Sequence, residues 1–232
     1  MPLIEVDQLE VFYGDFQALF GVSLYLNEGE VVSIIGANGA GKSTLMGGLI
    51  GINRKIRGGI RFAGEDISGV RANVISKLGM SLVPEGRRLF PSLSVEDNLK
   101  IGMASGRNGP WTLEAIFNLF PPLETFRNHP ATRLSGGQQQ MVAVGRALLS
   151  NPRLLLCDEL SLGLAPAVIN DIYAAFDEIR KSGISILLVE QDIAKAMSAS
   201  DRLYCFVEGR ISMQGRSSDF TIGQISDSYF GT

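Results

Sequence analysis

The sequence predicts an α/β protein with a mainly parallel core sheet, an N-terminal antiparallel β region and a helical insertion. Short, continuously apolar runs recur along the chain, which is typical of strands buried on both faces. Segments with helical periodicity separate these runs, and strands that alternate with helices favour a parallel sheet. The apolar runs are VVSII (31–35), MSLV (80–83), LLLC (154–157) and ISILLV (184–189).

The other elements follow from local patterns. The first thirty residues alternate like strands, in LIEVDQLEVFYG and then VSLYLNEGE. Between the last two apolar runs, apolar residues recur at spacings of three and four, and Gly183 is placed to end that helix. These apolar residues are Val168, Ile169, Ile172, Tyr173, Phe176 and Ile179. After Asp201, the run RLYCFVEGRISMQG predicts a hairpin around Glu208 and Gly209.

The middle of the chain differs from the rest. From Ser94 to about His129 the pattern is helical and irregular, with breaks at Gly106, at 108–110 and at 121–122. Ser94 followed by Asp97 resembles a capping box with Asp in place of the usual Glu. We expect one domain over residues 1–232. Its α/β core comprises 1–93 and 131–232, and its helical insertion covers 94–130 and continues into the next helix.

Composition narrows the functional classes. The chain has 232 residues, 45% of them hydrophobic, and 21 basic and 24 acidic side chains give a net charge of −3. This balance predicts no general attraction to nucleic acid or to anionic membranes. The start, MPLIEVDQLE, lacks the features of a secretory signal, and no apolar run approaches the ~20 residues of a membrane helix. Cys157 and Cys205 lie in apolar runs and are expected to be buried thiols without a disulfide. We therefore expect a soluble cytoplasmic protein.

The segment GANGAGKST (36–44) follows a predicted buried strand. Gly36, Gly41, Lys42 and Ser43 match the G-x-x-x-x-G-K-[ST] phosphate loop. Glycines let several backbone N–H groups converge on phosphate oxygens, and the helix that begins near Lys42 adds its dipole. Lys42 is expected to reach the β- and γ-phosphates, and the Ser43 hydroxyl to bind Mg²⁺. The loop predicts nucleotide binding. Small-molecule kinases and GTPases share it, although the N-K-x-D segment of a GTPase is absent.

Two further segments carry polar residues at element ends. The run LSGGQQQ (134–140) precedes a helical stretch, and taken alone Ser135 can be a helix N-cap followed by two flexible glycines. The strand-like run LLLCDE ends in Asp158 and Glu159. A carboxylate at a strand end can hold the Mg²⁺ of a nucleotide, and the next one can orient and deprotonate a water molecule.

The ordered set GANGAGKST, LSGGQQQ, LLLCDE and SLGLAP (161–166) resembles the nucleotide-binding subunit of ATP-binding-cassette (ABC) transporters, over essentially the whole chain. The resemblance implies a P-loop NTPase cassette fold. It also implies that two cassettes pair head to tail, so that each ATP lies between the phosphate loop of one and the LSGGQ motif of the other. The loop of Ser161, Leu162 and Gly163 would then run between the two ATP sites.

The resemblance also assigns roles to individual residues. Tyr13 would stack on adenine, and Ser135, Gly136 and Gly137 would contact the γ-phosphate across the interface. The residues implied to bind ATP are Tyr13, Gly36, Ala37, Asn38, Gly39, Ala40, Gly41, Lys42, Ser43, Thr44, Ser135, Gly136, Gly137 and Gln138. The implied catalytic residues are Glu159, Gln191 and Lys42, and the implied Mg²⁺ ligands are Ser43, Glu85 and Asp158.

Three positions depart from the usual cassette pattern. Glu85 stands where most cassettes have Gln, and a carboxylate only accepts hydrogen bonds and adds negative charge. Leu160 replaces the Pro that usually follows the catalytic Glu, which is expected to loosen the loop. Gln191 replaces a switch histidine, and its amide can donate one hydrogen bond but cannot shuttle a proton. The one histidine, His129, is expected on the surface. We expect this half-site to be weakened but active.

The pairing of VPEGRRLFP with LLVEQ resembles one cassette subunit of bacterial branched-chain amino-acid importers. That resemblance implies a second cassette subunit, with a heterodimer favoured and a homodimer possible, and two transmembrane permease subunits. It implies a cytoplasmic protein, peripheral on the inner face of the membrane, without direct contact to the solute. A groove near Glu85 that includes Arg87, Arg88 and Phe90 would accept a short permease helix, although both arginines can simply be solvated.

Three alternatives stay open from the sequence alone. One is a urea or short-amide importer, which uses similar cassettes. Another is a cassette ATPase that transports nothing, such as one in iron–sulfur-cluster assembly. A third is a soluble P-loop kinase acting on a small molecule, against which LSGGQQQ argues.

Overall fold

Strands and helices alternate along most of the chain in the computed structural model, which describes residues 1–230. Short 3₁₀ segments lie at Ile101–Ser105, Ala131–Arg133 and Ser217–Asp219. The strands and α-helices in chain order are β1 (Ile4–Tyr13), β2 (Phe16–Leu26), β3 (Val31–Gly36), α1 (Lys42–Leu49), β4 (Ile56–Phe62), β5 (Glu65–Asp66), α2 (Ala72–Leu78), β6 (Met80–Val83), α3 (Val95–Lys100), α4 (Leu113–Leu119), α5 (Pro122–Thr125), α6 (Gly136–Leu148), β7 (Leu154–Asp158), α7 (Pro166–Lys181), β8 (Ser185–Glu190), α8 (Ile193–Ala199), β9 (Arg202–Val207), β10 (Arg210–Arg216) and α9 (Ile222–Phe230).

The first of two units comprises Met1–Ile75 together with the described residues from Ser185 onward. It contains an antiparallel sheet in the order β2-β1-β4-β5 and a second set of strands in the order β10-β9-β3-β8. In the second set, β3 runs parallel to both β8 and β9, with Ile34 opposite Val189 and Ile35 opposite Cys205. All six residues of β3 are buried, as expected for a continuously apolar strand at the centre of a sheet.

The second unit is Ser76–Ile184. Its strands β6 and β7 pair in parallel, with Val83 opposite Cys157, and helices α3 to α7 belong to the same unit. Helix α6 comes close to α3 and α4 because Gly145 has no side chain. A Cβ at Gly145 would lie 2.7 Å from Ile116 Cγ2 and 2.8 Å from Leu99 Cδ2. The helical pattern predicted from Ser94 to about His129 is thus confirmed as α3, α4 and α5.

Most predicted elements are present. Each apolar run is a strand, and the stretch with three-and-four spacing is α7, whose chain continues to Gly183 with φ 89°. The predicted hairpin joins β9 to β10, and its turn residues Glu208 and Gly209 have φ 48° and 73°. Positive φ at both turn positions matches the twist of the flanking strands. Cys157 and Cys205 are buried, as expected, and neither forms a disulfide within the described part of the chain. Burial raises the pKa of the Cys205 thiol to about 11.

The capping box predicted at Ser94 is only half formed. The Asp97 backbone N–H donates to Ser94 Oγ at 3.0 Å, so Ser94 does cap α3. The Asp97 carboxylate, however, accepts from the Ser94 hydroxyl at 2.6 Å, whereas a full box needs it to accept from the Ser94 backbone. Asp is one carbon shorter than the usual Glu, which accounts for the missing half.

Residues 56–78 form β4, β5 and α2, for which the sequence offers no clear pattern. Strand β4 reads IRGGIRF, and two central glycines obscure its alternation. Gly58 is required there because β1 has a register shift opposite it, between Asp7 and Glu10. Gly58 has φ 85°, and a Cβ on it would lie 2.3 Å from the Gln8 carbonyl oxygen.

Among the residues that the structure describes, no helix combines the length and the apolar character needed to span a membrane.

Candidate functional site

The phosphate loop connects β3 to α1 in the first unit. Gly41 precedes α1 with φ 101°, and among the described residues no side chain caps this helix start and its first turn holds no acidic residue. The first N–H groups of a helix have no partner within the helix, and they carry its positive dipole end. This end of α1 can therefore receive an anion such as phosphate.

Glycines in the loop are required by packing. A Cβ at Gly36 would lie 2.6 Å from the Phe206 carbonyl oxygen, and one at Gly41 would lie 2.7 Å from Leu19 Cδ2. The β9–β10 turn also braces the loop, since the Gly209 N–H donates to the Ala40 carbonyl at 2.9 Å. The loop is thus a tight backbone cradle, which is the shape that phosphate binding needs.

Lys42 lies at the start of α1 and is only 4% exposed. Its ammonium donates to the carbonyl oxygens of Gly36 at 2.7 Å and Ala37 at 3.1 Å, so the side chain folds along the loop. A cation held over the loop can meet the negative charge of a polyphosphate. Ser43 is exposed and Thr44 is half-buried.

Tyr13 ends β1 and is 50% exposed, so about half of its surface is open to solvent. Its hydroxyl donates to Thr44 Oγ1 at 3.3 Å and accepts from Asn53 Nδ2 at 2.8 Å. Tyr13 is thereby connected to α1, the helix that follows the phosphate loop. The sequence drew no attention to Asn53, because it lies in an irregular segment without periodicity.

Gln191 lies beside the carboxyl end of β3, the strand that leads into the phosphate loop. In the parallel β3–β8 pair Ile35 is opposite Glu190, so Gln191 follows β8 where Gly36 completes β3. Gln191 is exposed, and the next residue, Asp192, caps α8 by accepting from the Lys195 N–H at 3.1 Å. The first unit therefore brings together Tyr13, the phosphate loop and Gln191.

The second unit carries the remaining predicted residues. Asp158 is the last residue of β7 and is 6% exposed. Glu159 follows with φ 50°, a left-handed conformation that is uncommon for a residue other than glycine. Since Val83 pairs with Cys157, Glu85 and Glu159 follow the ends of neighbouring parallel strands.

Leu160 is only 1% exposed, so the residue that follows Glu159 is buried. The loosening expected where a proline is replaced stays a prediction. The backbone N–H of Leu162 donates to the Glu159 carbonyl at 3.3 Å, and Gly163 has φ 69°. The loop is therefore a defined turn.

The LSGGQ segment forms the N-terminus of α6. Ser135 and Gln138 make a full capping box: the Gln138 N–H donates to Ser135 Oγ at 3.3 Å, and the Ser135 N–H donates to Gln138 Oε1 at 2.9 Å. The N-cap interpretation of Ser135 is thus confirmed, and its exposed side chain can still meet a ligand. A Cβ at Gly137 would lie 2.3 Å from Val168 Cγ1, so glycine is needed for packing against α7.

The turn after Glu85 has an unusual backbone. Gly86, Arg87 and Arg88 have φ values of 72°, 64° and 47° in succession. Arg87 is not a solvated side chain, because its guanidinium donates to Gln139 Oε1 at 3.3 Å, and a Cβ at Gly136 would lie 3.0 Å from Arg87 Nη2. Glu85 and Arg88 are exposed, as is Phe90 at 50%.

His129 is half-buried and not on the open surface as the sequence suggested. Its ring packs edge-on against Phe126 with centroids 5.7 Å apart. Its Nδ1 is buried and has no hydrogen-bond partner among the described residues. His129 belongs to the helical part of the second unit.

A metal ion enclosed by protein ligands is not supported. Within residues 1–230, no group of three or more His, Cys, Asp or Glu side chains is placed to hold one. Magnesium that accompanies a nucleotide takes most of its ligands from phosphate and water and needs only one or two protein oxygens. The hydroxyl of Ser43 and the carboxylates of Glu85 and Asp158 provide oxygen atoms of the kind that Mg²⁺ prefers as ligands.

Comparisons with known proteins cover the whole chain. A family model described as ABC transporter matches residues 19–161. The chain is 40% identical over 232 residues to the high-affinity branched-chain amino acid transport ATP-binding protein BraG of Pseudomonas aeruginosa, covering 99% of this chain and 100% of BraG. It is 30% identical over 220 residues to the probable branched-chain amino acid transport ATP-binding protein LivF of Archaeoglobus fulgidus, covering 94% and 93%.

Solved structures agree with the sequence relatives. A nucleotide-free ATP-binding cassette from an ABC transporter superposes with a TM-score of 0.88 at 28% identity, covering 100% of both chains. The ADP conformation of another ABC transporter cassette superposes with a TM-score of 0.81 at 28% identity, covering 98% of this chain and 94% of that one.

Proposed function

This chain belongs to the ABC transporter family and is an ATPase coupled to transport, and we propose that it drives an importer of branched-chain amino acids. The observation that carries the solute class is the similarity to BraG over its full length. The small-molecule kinase that the phosphate loop alone left open is incompatible with this family.

In the proposed reaction, the phosphate loop holds the triphosphate of ATP. Backbone N–H groups from Gly36 to Thr44 and the ammonium of Lys42 bind the phosphate oxygens, and the ring of Tyr13 stacks on adenine. The tight glycine cradle, the buried Lys42 and the half-exposed Tyr13 support these roles.

Magnesium would be held by Ser43, Glu85 and Asp158. Bound there with ATP, it would neutralise charge on the phosphate oxygens. Glu85 contributes a negative charge where an amide is usual in this family, which favours the cation but repels the phosphates.

Hydrolysis requires a base and a hydrogen-bond donor. Glu159 is proposed to orient and deprotonate the attacking water, and its left-handed backbone supports a strained functional position. Gln191 is proposed to donate a hydrogen bond to the γ-phosphate from its NH₂ group. Losing one preorganised donor costs ~10²–10³-fold in rate, so an amide at this position preserves part of the activity.

ATPase subunits of this family work with other cassette subunits and with permeases. We propose a heterodimer, in which Ser135, Gly136, Gly137 and Gln138 contact ATP held by a second, non-identical cassette that carries the switch histidine. Two permeases complete the assembly, and the chain lies peripherally on the cytoplasmic face of the membrane. The exposed Phe90 and Arg88 beside Glu85 suit a permease helix, and the solute itself does not touch this chain.

The test is a pull-down of the tagged chain from native membranes in mild detergent, followed by reconstitution of the complex in vesicles. We expect two permeases and a second cassette, and ATP-dependent uptake of leucine. Uptake of urea or a short amide instead of leucine would overturn the solute class. Soluble scaffold proteins without a permease would overturn the importer.

A further inference from the structure

The turn that carries Tyr13 is anchored from outside its own hairpin. Gly14 and Asp15 connect β1 to β2, and Lys55 holds them: its ammonium donates to the Gly14 carbonyl and lies 3.4 Å from the Asp15 carboxylate. The Phe12 N–H donates to the Lys55 carbonyl at 2.9 Å. The segment that begins at Asn53 therefore fixes the backbone on both sides of Tyr13.

The same segment also holds the far end of the Tyr13 side chain. Asn53 Nδ2 donates to the Tyr13 hydroxyl at 2.8 Å. Asn53 is itself docked on α1, because its backbone N–H donates to the Gly47 carbonyl at 3.0 Å and a Cβ at Gly47 would lie 2.7 Å from Asn53 Nδ2. The amide is thus held in place by α1, the helix that follows the phosphate loop.

These hydrogen bonds have a direction. An amide NH₂ can only donate, so the Tyr13 oxygen accepts from Asn53 and the single phenolic hydrogen is passed on. That hydrogen goes to Thr44 Oγ1 at 3.3 Å, so Thr44 accepts and its own hydrogen is directed to an acceptor other than Tyr13. Hydrogen bonds in such a chain polarise one another, which makes the last donor stronger.

We propose that Asn53 is a positioning residue for ATP, acting through the chain Asn53–Tyr13–Thr44. The chain holds the Tyr13 ring for the base and directs the Thr44 hydroxyl hydrogen toward a phosphate oxygen. Base recognition and phosphate binding are therefore linked by one side chain outside both motifs. This inference rests on the proposed binding of ATP at the phosphate loop.

Three variants test the chain: Asn53→Leu, which keeps the shape and removes the donor, Tyr13→Phe, which removes one oxygen, and the double variant. The dissociation constant for MgATP is measured by calorimetry on the full chain. Each single substitution is expected to raise it about 3–10-fold, the value of one neutral hydrogen bond. The double variant is expected to lose no more affinity for MgATP than the weaker-binding single variant loses, since both substitutions break the same hydrogen-bond chain. As a control, Asn118→Leu on the exposed side of α4 is expected to bind as the wild type does.

Binding of inorganic tripolyphosphate distinguishes an effect on the orientation of the Thr44 hydroxyl from an effect on the packing of the Tyr13 ring. Both single variants are expected to bind it more weakly, because the Thr44 hydroxyl hydrogen is no longer directed toward the phosphate, although tripolyphosphate has no base to stack on Tyr13. Unchanged dissociation constants would overturn the proposed hydrogen-bond chain. So would losses of binding free energy that simply add in the double variant. If Asn53→Leu fails to fold, Tyr13→Phe alone decides, since unchanged tripolyphosphate binding then rejects the proposal. If the wild-type protein does not bind MgATP, and Lys42→Ala leaves the binding signal unchanged, the proposed ATP binding is wrong. That result differs from a failure of the hydrogen-bond chain Asn53–Tyr13–Thr44 in a protein that does bind MgATP.

Discussion

The guanidinium of Arg146 donates a hydrogen bond of 2.9 Å to the backbone carbonyl oxygen of Arg87. A second bond of 2.8 Å goes to the Arg88 carbonyl, so one side chain on α6 holds two successive peptide groups. These belong to the turn of three positive φ angles after Glu85. Left-handed conformations cost of order 1–3 kcal/mol at residues other than glycine, and the arginine offsets this cost. Burial lowers the pKa of the Arg146 guanidinium below its usual value.

Replacing Arg146 by lysine keeps the charge but removes the fork that reaches two carbonyls. We expect Arg146→Lys to lower the free energy of unfolding by about 1–3 kcal/mol, because one carbonyl loses its hydrogen bond from a charged donor. Urea denaturation measures this, with Arg71→Lys at an exposed position as the control. Equal stability of the two variants would mean that the turn holds its shape without Arg146.

Glu159→Gln is expected to bind ATP and to reduce turnover about 10²–10⁴-fold, the usual contribution of a general base. Phosphate release and nucleotide retention are measured on the same sample. Glu178→Gln, on the exposed side of α7, serves as the control and should keep normal turnover. Normal turnover in Glu159→Gln would remove this carboxylate from the role of base.

Gln191→His is expected to raise the ATPase rate and to make it pH-dependent near pH 6–7, because an imidazole titrates in that range. The rate is followed from pH 5.5 to 8.5 alongside the wild type, whose amide does not titrate. An unchanged rate with a flat pH profile would show that residue 191 does not reach the reacting phosphate.

Gly137→Ala is expected to destabilise the protein by about 1–3 kcal/mol through overpacking, because its Cβ would lie 2.3 Å from Val168 Cγ1. Gly59→Ala is the matched control, since a Cβ there meets no atom within 4 Å. Adding Val168→Ala to Gly137→Ala should restore part of the loss in thermal denaturation. If the second substitution brings no recovery, the clash with Val168 is not the cause.

Glu96 is expected to titrate far below the usual range of a glutamate side chain. Hydrogen bonds from Arg127 and then from Lys100 lower its pKa from 4.5 to about 2. The stability that this carboxylate contributes is present above pH 4.5 and is lost as the pH falls through about 2. Carbon-detected NMR of the side-chain carboxyl measures the pKa, and Arg127→Gln should raise it. A Glu96 pKa near 4.5 in the wild type would contradict the expectation.

Local patterns in the sequence determined much of this protein. Strand β3 is buried on both faces, so it must be continuously apolar, and the glycines and Lys42 that follow it have few chemical uses other than phosphate binding. Helix α7 could be predicted equally well, because its buried face is apolar and its opposite face is exposed. These features depend on neighbours within a few residues, so they can be predicted from the sequence.

Two contacts could be found only in the folded protein: Asn53 meets Tyr13, 40 residues away, and Arg146 meets the Arg87 carbonyl, 59 residues away. Strand β4 was likewise not predicted, because Gly58 fits a register shift in β1 and follows no pattern within β4 itself. A hydrogen bond between distant segments leaves no trace in the composition or periodicity of either segment. Such contacts become visible only when the packing of strands and helices has brought the two side chains together.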